Sequence, residues 1–176
     1  MSMTLNAAVL QKYMTSAFVE TGTFDGRGAV AAVYAGFKRV YTIEVDHGRA
    51  ELARGRLLGF PEVVLLEGDS LLYLPLVLRD LDVKATIFLD AHPVGFGDPT
   101  KGSTIKFPLV DELKLIAQHS RRKDHSILID DRNAFKYWNT TDEEVGRLLK
   151  AINPAYAIGL EPNWSGAQDM IGAMVK

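Results

Sequence analysis

Residues 18–28 of the chain read FVETGTFDGRG, a short apolar strand that runs into three glycines and then into a helical pattern. Glycine lets a backbone turn tightly and approach a ligand closely, and the first turn of a helix offers free N–H groups. The spacing G-x-x-x-G-x-G differs from the dinucleotide pattern G-x-G-x-x-G, although Glu44 lies where an acidic residue would hold a ribose in either scheme. The segment therefore predicts a ligand-binding turn, with a purely structural turn as the alternative.

Around this turn, short apolar runs rich in β-branched residues alternate with amphipathic segments. The alternation predicts one α/β domain, residues 1–176, built on a parallel sheet with helices on both faces. Two further strand-like runs near the C-terminus are joined by a link too short for a helix, so we expect an antiparallel hairpin. The expected strands are 17–20, 39–45, 62–66, 84–89, 125–129, 155–160 and 168–175, and the expected helices are 27–36, 47–58, 70–80, 107–119 and 141–151.

Composition excludes several classes of function. The 176 residues contain no cysteine, which rules out a thiol nucleophile, a thiolate zinc site and a disulfide framework. Twenty basic residues against 22 acidic ones give a net charge of −2, which does not favour nucleic acid as a partner. The basic run 121–123 precedes the fifth strand, at the edge of the sheet opposite the strand ends, and we interpret it as a solvated turn.

No segment predicts insertion into a membrane. The most apolar stretch, residues 71–78, is interrupted by Pro75 and is far shorter than the roughly 20 residues that cross a bilayer. The N-terminal residues lack the basic and apolar regions of a signal peptide. We therefore expect a cytoplasmic protein without a membrane partner, and the sequence leaves a homodimer open.

A carboxylate follows each predicted parallel strand within a few residues. The carboxyl ends of parallel strands share one edge, so these side chains should meet at the crevice where open α/β sheets bind ligands. Helix capping explains any one of them but is an insufficient account of five strand ends in succession. Clustered like charges are costly unless a cationic or hydroxyl-rich ligand lies among them. The residues are Glu20, Glu44, Asp46, Asp69, Asp90, Asp130 and Asp131.

In order and spacing, these motifs resemble those of the class I S-adenosylmethionine-dependent methyltransferases over nearly the whole chain. The segments that carry the resemblance are VETGTFDG (19–26), YTIEVD (41–46), LEGDS (66–70), IFLDAH (87–92) and ILIDD (127–131). Within that class the chain looks most like small bacterial and viral members with ETGT, LDAH and ILIDD segments. The resemblance implies a Rossmann-like seven-stranded sheet, mostly parallel with a C-terminal antiparallel hairpin, but it does not identify a methyl acceptor.

Cofactor roles follow from the resemblance position by position. It implies that the turn from Glu20 to Gly26 holds the methionine part of S-adenosylmethionine and that Glu44 accepts from both ribose hydroxyls. A carboxylate-lined site suits the ammonium and sulfonium of this cofactor. The cofactor-binding set is Glu20, Gly22, Thr23, Gly26, Glu44, Asp46, Asp69, Ser70 and Asp90, in which Asp69 and Ser70 meet the adenine edge.

Asp90 and His92 are the candidate catalytic residues. Methyl transfer requires alignment of the acceptor and, for a hydroxyl acceptor, removal of its proton. His92 follows Asp90 at the expected mouth of the crevice and could act as the general base. The alternative is a histidine that only packs or hydrogen-bonds in its loop.

Asp90, Asp130 and Asp131 offer three hard oxygen ligands on adjacent strand ends, a set that suits Mg²⁺. The set resembles the metal ligands of divalent-cation-dependent O-methyltransferases, although those carry an Asp-Asn pair where this chain has two aspartates followed by Arg132. In the alternative interpretation, Asp90 contacts the cofactor ammonium and Asp130 or Asp131 pairs with Arg132.

Acceptor recognition should come from loops at this edge. The segment 91–106 is long for a connection between a strand and a helix, and its glycines and prolines are typical of a lid. Aromatic residues after the fifth strand and in the hairpin turn predict a wall for a planar or sugar-like small molecule, or else loop packing. They are Phe135, Tyr137, Trp138 and Trp164.

Together these features predict a methyltransferase that acts on a small-molecule acceptor, with oxygen favoured and Mg²⁺ assistance left open. One alternative is a protein that binds S-adenosylmethionine without methyl transfer, or that cleaves it. A second is an NAD-dependent oxidoreductase, which should show G-x-G-x-x-G and would not explain the terminal hairpin.

Overall fold

The computed structural model describes residues 5–92 and 107–175. Its strands are β1 (Ala17–Thr21), β2 (Val40–Glu44), β3 (Val63–Glu67), β4 (Ala85–Leu89), β5 (Ser126–Ile129), β6 (Ala157–Pro162) and β7 (Gln168–Met174). They form one sheet in the order β3-β2-β1-β4-β5-β7-β6. The first five strands pair in parallel, whereas β7 is antiparallel to both β5 and β6. The predicted fold class is confirmed; most of the predicted lid, residues 93–106, lies outside the described residues.

Six α-helices connect and cover the strands: α1 (Ala7–Lys12), α2 (Arg27–Ala35), α3 (His47–Leu57), α4 (Ser70–Asp80), α5 (Leu109–Gln118) and α6 (Asp142–Ile152). A 3₁₀ helix, Arg132–Tyr137, follows β5. The sequence did not predict α1 or the 3₁₀ helix, because six residues are too few to show a helical period. None of the helices in the described ranges is long and apolar enough to cross a membrane.

Strand residues alternate between two buried clusters on opposite faces of the sheet. Phe18, Phe88 and Leu128 pack with apolar residues of α1, α2 and α3. Their odd-numbered neighbours pack with α4, α5 and α6. The alternation follows from the two-residue period of a strand. It also sends the polar residues that end β1 to opposite faces, with Glu20 on the α2 side and Thr21 on the α5 side.

The strand order reverses at β1, which has β2 on one side and β4 on the other. Hydrogen bonding continues past the strand ends: Gly22 N donates to Ile43 O at 2.9 Å, and Asp90 N donates to Thr21 O at 3.1 Å. Ligands of open α/β sheets bind in the crevice at such a switch point. The glycine-rich turn and the loop that begins with Asp90 are therefore held side by side where a ligand is expected.

Candidate active site

Gly22 is fixed by packing between two strand ends. Its φ is +83°, and a Cβ at this position would lie 2.4 Å from the carbonyl oxygen of Asp90. Any side chain would displace that backbone, so the contact requires glycine whether or not a ligand is bound. The site-forming turn is thus tied directly to the end of β4.

Glu44, the last residue of β2, holds the same turn from the other side. Its two carboxylate oxygens accept hydrogen bonds from Phe24 N at 2.7 Å and Asp46 N at 2.9 Å. Burial raises the pKa of Glu44, and these two bonds oppose that shift. Phe24 has φ +51°, a strained conformation for a bulky residue, and its side chain is 45% exposed. No sequence pattern indicated this strain.

Glu20 lies buried beneath the turn. It accepts a hydrogen bond from the Thr42 hydroxyl at 2.6 Å, and Thr42 in turn contacts the Thr23 hydroxyl at 2.5 Å. A Cβ at Gly28 would overlap Glu20 Oε1, so this glycine makes room for the carboxyl group. Burial raises the pKa of Glu20 to about 8. The hydroxyls of Thr23 and Thr42 and the carboxyl group of Glu20 therefore form one buried chain of polar contacts.

Asp46 and Asp69 serve as helix caps. Asp46 accepts a hydrogen bond from Arg49 N at the start of α3, and Asp69 accepts one from Leu71 N at the start of α4, both at 2.9 Å. These contacts satisfy N–H groups that the first turn of a helix leaves without a partner. Capping thus explains the position of each side chain at the crevice edge, and a role in binding the cofactor stays a prediction.

Glu112 is a buried acid that the sequence interpretation missed. It is 1% exposed, lies in the first turn of α5 and accepts a hydrogen bond from the Ser70 hydroxyl. Burial raises its pKa to about 7. The helical period could have identified it, because Leu109, Leu113 and Ile116 mark the apolar face of α5 and Glu112 falls on that face.

Asp90, His92 and Asp131 form a cluster at the ends of β4 and β5. His92 Nε2 lies 3.1 Å from Asp90 Oδ1 and 2.6 Å from Asp131 Oδ2. Burial alone would lower the pKa of His92, but its hydrogen bonds to Asp131 and Asp90 outweigh burial and raise the pKa to about 11. In this arrangement the ring must first lose a proton before it can act as a base, so the general-base role stays a prediction.

Asp130 lies beside this cluster but points elsewhere than Asp131. Asp131, at the start of the 3₁₀ helix, takes a left-handed conformation with φ 52°. Asp130 is 5% exposed, and burial raises its pKa. The alternative in which Asp130 or Asp131 pairs with Arg132 is wrong, since Arg132 Nε donates to Asp142 Oδ2 at 2.8 Å.

The predicted aromatic wall is only partly at the site. The prediction that Phe135 lines this wall is wrong, because Phe135 is 3% exposed and packs in the core. Trp138 does lie at the site, with its ring centroid 5.4 Å from that of His92 and 4.2 Å from that of Phe107. Tyr137 is 67% exposed, and Trp164 is half exposed in the β6–β7 turn.

Asp169 is a second residue that the sequence did not indicate. Its Oδ1 accepts a hydrogen bond from Asn133 N at 2.7 Å and so ties β7 to the 3₁₀ helix that carries Trp138 toward the site. No local sequence pattern could indicate this contact, because the two residues lie 36 positions apart in the chain.

Comparison with known proteins gives a consistent structural match. No protein-family model and no curated protein sequence match the chain. Many solved structures do match, and the three described below superpose on 97% of the chain. An O-methyltransferase from Bacillus cereus, in complex with S-adenosylhomocysteine, has a TM-score of 0.65 and 19% identity, and 78% of its own chain is covered.

A methyltransferase from Podospora anserina, with S-adenosylhomocysteine bound, has a TM-score of 0.66, 16% identity and 76% coverage of its chain. An O-methyltransferase from Streptomyces achromogenes, in complex with S-adenosylmethionine, has a TM-score of 0.62, 16% identity and 77% coverage. The chain therefore has the seven-stranded fold of these methyltransferases.

Proposed function

We propose that the protein is an S-adenosylmethionine-dependent methyltransferase that acts on an oxygen of a small-molecule acceptor. The observation that carries the proposal is the placement of Glu20, Glu44 and Asp90 around one glycine turn at the switch point of the sheet. Carboxylates there suit a ligand with ribose hydroxyls and positive charge. The cofactor complexes of the three structural neighbours support the same choice of ligand.

Each residue of the turn has a distinct role in this proposal. Glu44 accepts from the ribose hydroxyls while its contacts to Phe24 and Asp46 keep the turn in shape. Glu20 lies buried below the methionine end of the cofactor, whose positive charge would favour the ionised form of this carboxyl group. Asp69 and Ser70 lie at the start of α4, where they meet the adenine edge.

Residues that fit a divalent cation lie next to this turn. Asp90, His92 and Asp131 can each offer one ligand atom, and these atoms all lie within 4.8 Å of one another. The proposal assigns the cation to the three acids of this edge, Asp90, Asp130 and Asp131, of which Asp130 lies beside the cluster. When bound, S-adenosylmethionine supplies an electrophilic methyl group, and a divalent cation lowers the pKa of a coordinated hydroxyl.

The chain contributes orientation and exclusion of water to the reaction. Trp138 stacks on Phe107 and borders His92, which gives the acceptor side one flat apolar wall beside charged groups. A small planar molecule with a hydroxyl group matches that combination. Asp90 packs against the cofactor turn through its backbone and belongs to the cation cluster through its side chain, so it aligns the two halves of the site.

Calorimetric titration of the purified protein tests the proposal. S-adenosylmethionine and S-adenosylhomocysteine should bind, and NAD should not bind at the same concentration. Binding of NAD alone would replace the proposal with an oxidoreductase. Binding of S-adenosylmethionine followed by its breakdown in the absence of an acceptor, detected by mass spectrometry, would replace it with a cofactor-cleaving activity.

A further inference from the structure

We propose that His92 is itself a metal ligand in this protein, so that the cation site is Asp90, His92 and Asp131 and prefers a first-row transition metal to Mg²⁺. The inference deepens the proposed function and rests on it for the location of the site. It differs from the expectation drawn from the sequence, in which three aspartates supplied oxygen ligands only.

The three side chains already have the spacing of ligands around one ion. His92 Nε2 is 3.1 Å from Asp90 Oδ1 and 2.6 Å from Asp131 Oδ2. Neighbouring ligands of a six-coordinate ion, with bonds of about 2.1 Å, lie about 3.0 Å apart. The distance from His92 Nε2 to each carboxylate oxygen is therefore within a few tenths of an ångström of this spacing, and all three atoms lie within 4.8 Å of one another.

The local structure orients both Asp131 and His92. Asp131 contacts His92 from a left-handed backbone conformation, and such a residue at a site is typical of a functional constraint. The ring of Trp138 lies against His92 at an interplanar angle of 31° and limits its rotation. A ligand set held by its surroundings binds metal with less loss of side-chain entropy.

Asp130, next to the cluster, gives an independent indication of a cation. Asp130 is 5% exposed, and its Oδ1 has no hydrogen-bond partner within the described ranges. With Asp90, His92 and Glu112 it lines a cavity of about 10 Å³, which is roughly the room that one water-sized group needs. A buried carboxylate oxygen that faces such a cavity is stabilised by positive charge there.

The donor atoms decide which cation is favoured. Mg²⁺ prefers oxygen ligands and keeps much of its water, whereas imidazole nitrogen suits iron, nickel, copper and zinc. Affinity for a site of mixed nitrogen and oxygen donors also rises along the series from Mn²⁺ to Co²⁺. One imidazole between two carboxylates should therefore select Co²⁺ over Mg²⁺, and Co²⁺ offers a visible spectrum that reports its ligands.

The experiment titrates chelator-treated protein with Co²⁺ and with Mg²⁺, by calorimetry and by visible absorption for Co²⁺. The wild-type protein should bind Co²⁺ at least about tenfold more tightly than Mg²⁺. His92→Gln should weaken Co²⁺ binding by about tenfold or more and change the Co²⁺ spectrum, while Mg²⁺ binding changes little. A second variant, His92→Phe, keeps a ring against Trp138 and should give the same loss.

His47→Gln is the matched control, because His47 also lies with two acids, Glu51 and Glu67, but on an exposed surface. It should leave the Co²⁺ spectrum unchanged. If His92→Gln binds Co²⁺ as the wild type does, or if the wild type binds no Co²⁺, the inference is overturned.

Titration of the same samples with S-adenosylhomocysteine separates the two proposals. Binding of this ligand without a His92-dependent metal site would refute the inference and retain the proposed function. Metal binding through His92 without S-adenosylhomocysteine binding would refute the proposed function and retain the inference about the metal site.

Discussion

Glu44→Gln probes whether one carboxylate both holds the glycine-rich turn and binds the cofactor. In the wild type, each carboxylate oxygen accepts a backbone N–H, and the side chain is only 4% exposed. In glutamine one oxygen becomes an NH₂ group, which faces an N–H donor and cannot accept from it. The variant therefore loses one charge-assisted hydrogen bond in a buried position.

Two effects of opposite sign set the size of the change in stability. A hydrogen bond to a charged group contributes about 1.5–3 kcal/mol. Burial of the charged carboxylate is unfavourable, as the raised pKa of Glu44 shows, so removal of the charge also stabilises the fold in part. We expect the free energy of unfolding to fall by about 1–2 kcal/mol. The strained conformation of Phe24 should relax at the same time, since its N–H loses a charged partner.

Glu67→Gln is the control for this variant. Glu67 is the register partner of Glu44 on β3, but it lies on the surface, where it pairs with His47 and Arg54. Exposed ion pairs of this kind contribute at most about 1 kcal/mol. Urea unfolding followed by tryptophan fluorescence should therefore separate Glu44→Gln from both the wild type and the control.

The affinity for S-adenosylhomocysteine, measured by calorimetry on folded protein, completes the test. Loss of a charged acceptor for two ribose hydroxyls should weaken binding by about tenfold or more, which corresponds to about 1.4 kcal/mol. An unchanged urea midpoint would show that Glu44 does not hold the turn. A lowered midpoint with unchanged affinity would remove Glu44 from the ribose role.

Two further predictions concern stability. Gly22→Ala should lower the free energy of unfolding by at least about 3 kcal/mol, because Gly22 has a positive φ and packs against Asp90. Gly55→Ala, in the open face of α3, should instead raise the free energy of unfolding by about 0.5–1 kcal/mol. Urea titration of both variants checks these values. Burial lowers the pKa of His125 from 6.5 to about 4, so the unfolded chain takes up this proton first, and the contribution of His125 to stability should be lost as the pH drops from 6.5 to 4, opposite in sign to the contribution of the buried acids Glu20 and Glu112. His125→Asn, which can still accept from Ala85 N, should lack this contribution, so its stability relative to the wild type should increase as the pH drops from 7 to 5 in urea titrations.

Most of the fold could be predicted from the sequence, since the strands are buried and apolar and the helices carry local start signals. Asp46, Asp69 and Thr141 each cap the helix that follows them. The helix α1 is too short to show the period of a helix in its sequence. Its place depends on contacts distant in sequence, such as the hydrogen bond from the Tyr13 hydroxyl to Glu161 on β6.

The position of the candidate site could be predicted, but the partners of its residues could not. Parallel strand ends share an edge, and that rule alone brings Asp90 close to Asp130 and Asp131. The left-handed conformation of Asp131 and the pairing of Arg132 with Asp142 at the start of α6 have no signal in these motifs. Those features follow from tertiary packing, which no motif in the chain describes.

The buried acids of the site make the fold weaker at neutral pH. Burial raises the pKa of Glu20 to about 8 and that of Glu112 to about 7, above the ordinary value of 4.5. The folded chain therefore holds these protons more tightly than the unfolded chain, and its stability falls as the pH rises from about 4.5 to 8. A positive charge among these groups would favour their ionised forms and offset that loss. The electrostatics of the site thus favour a ligand that carries positive charge, as a sulfonium, an ammonium or a metal ion does.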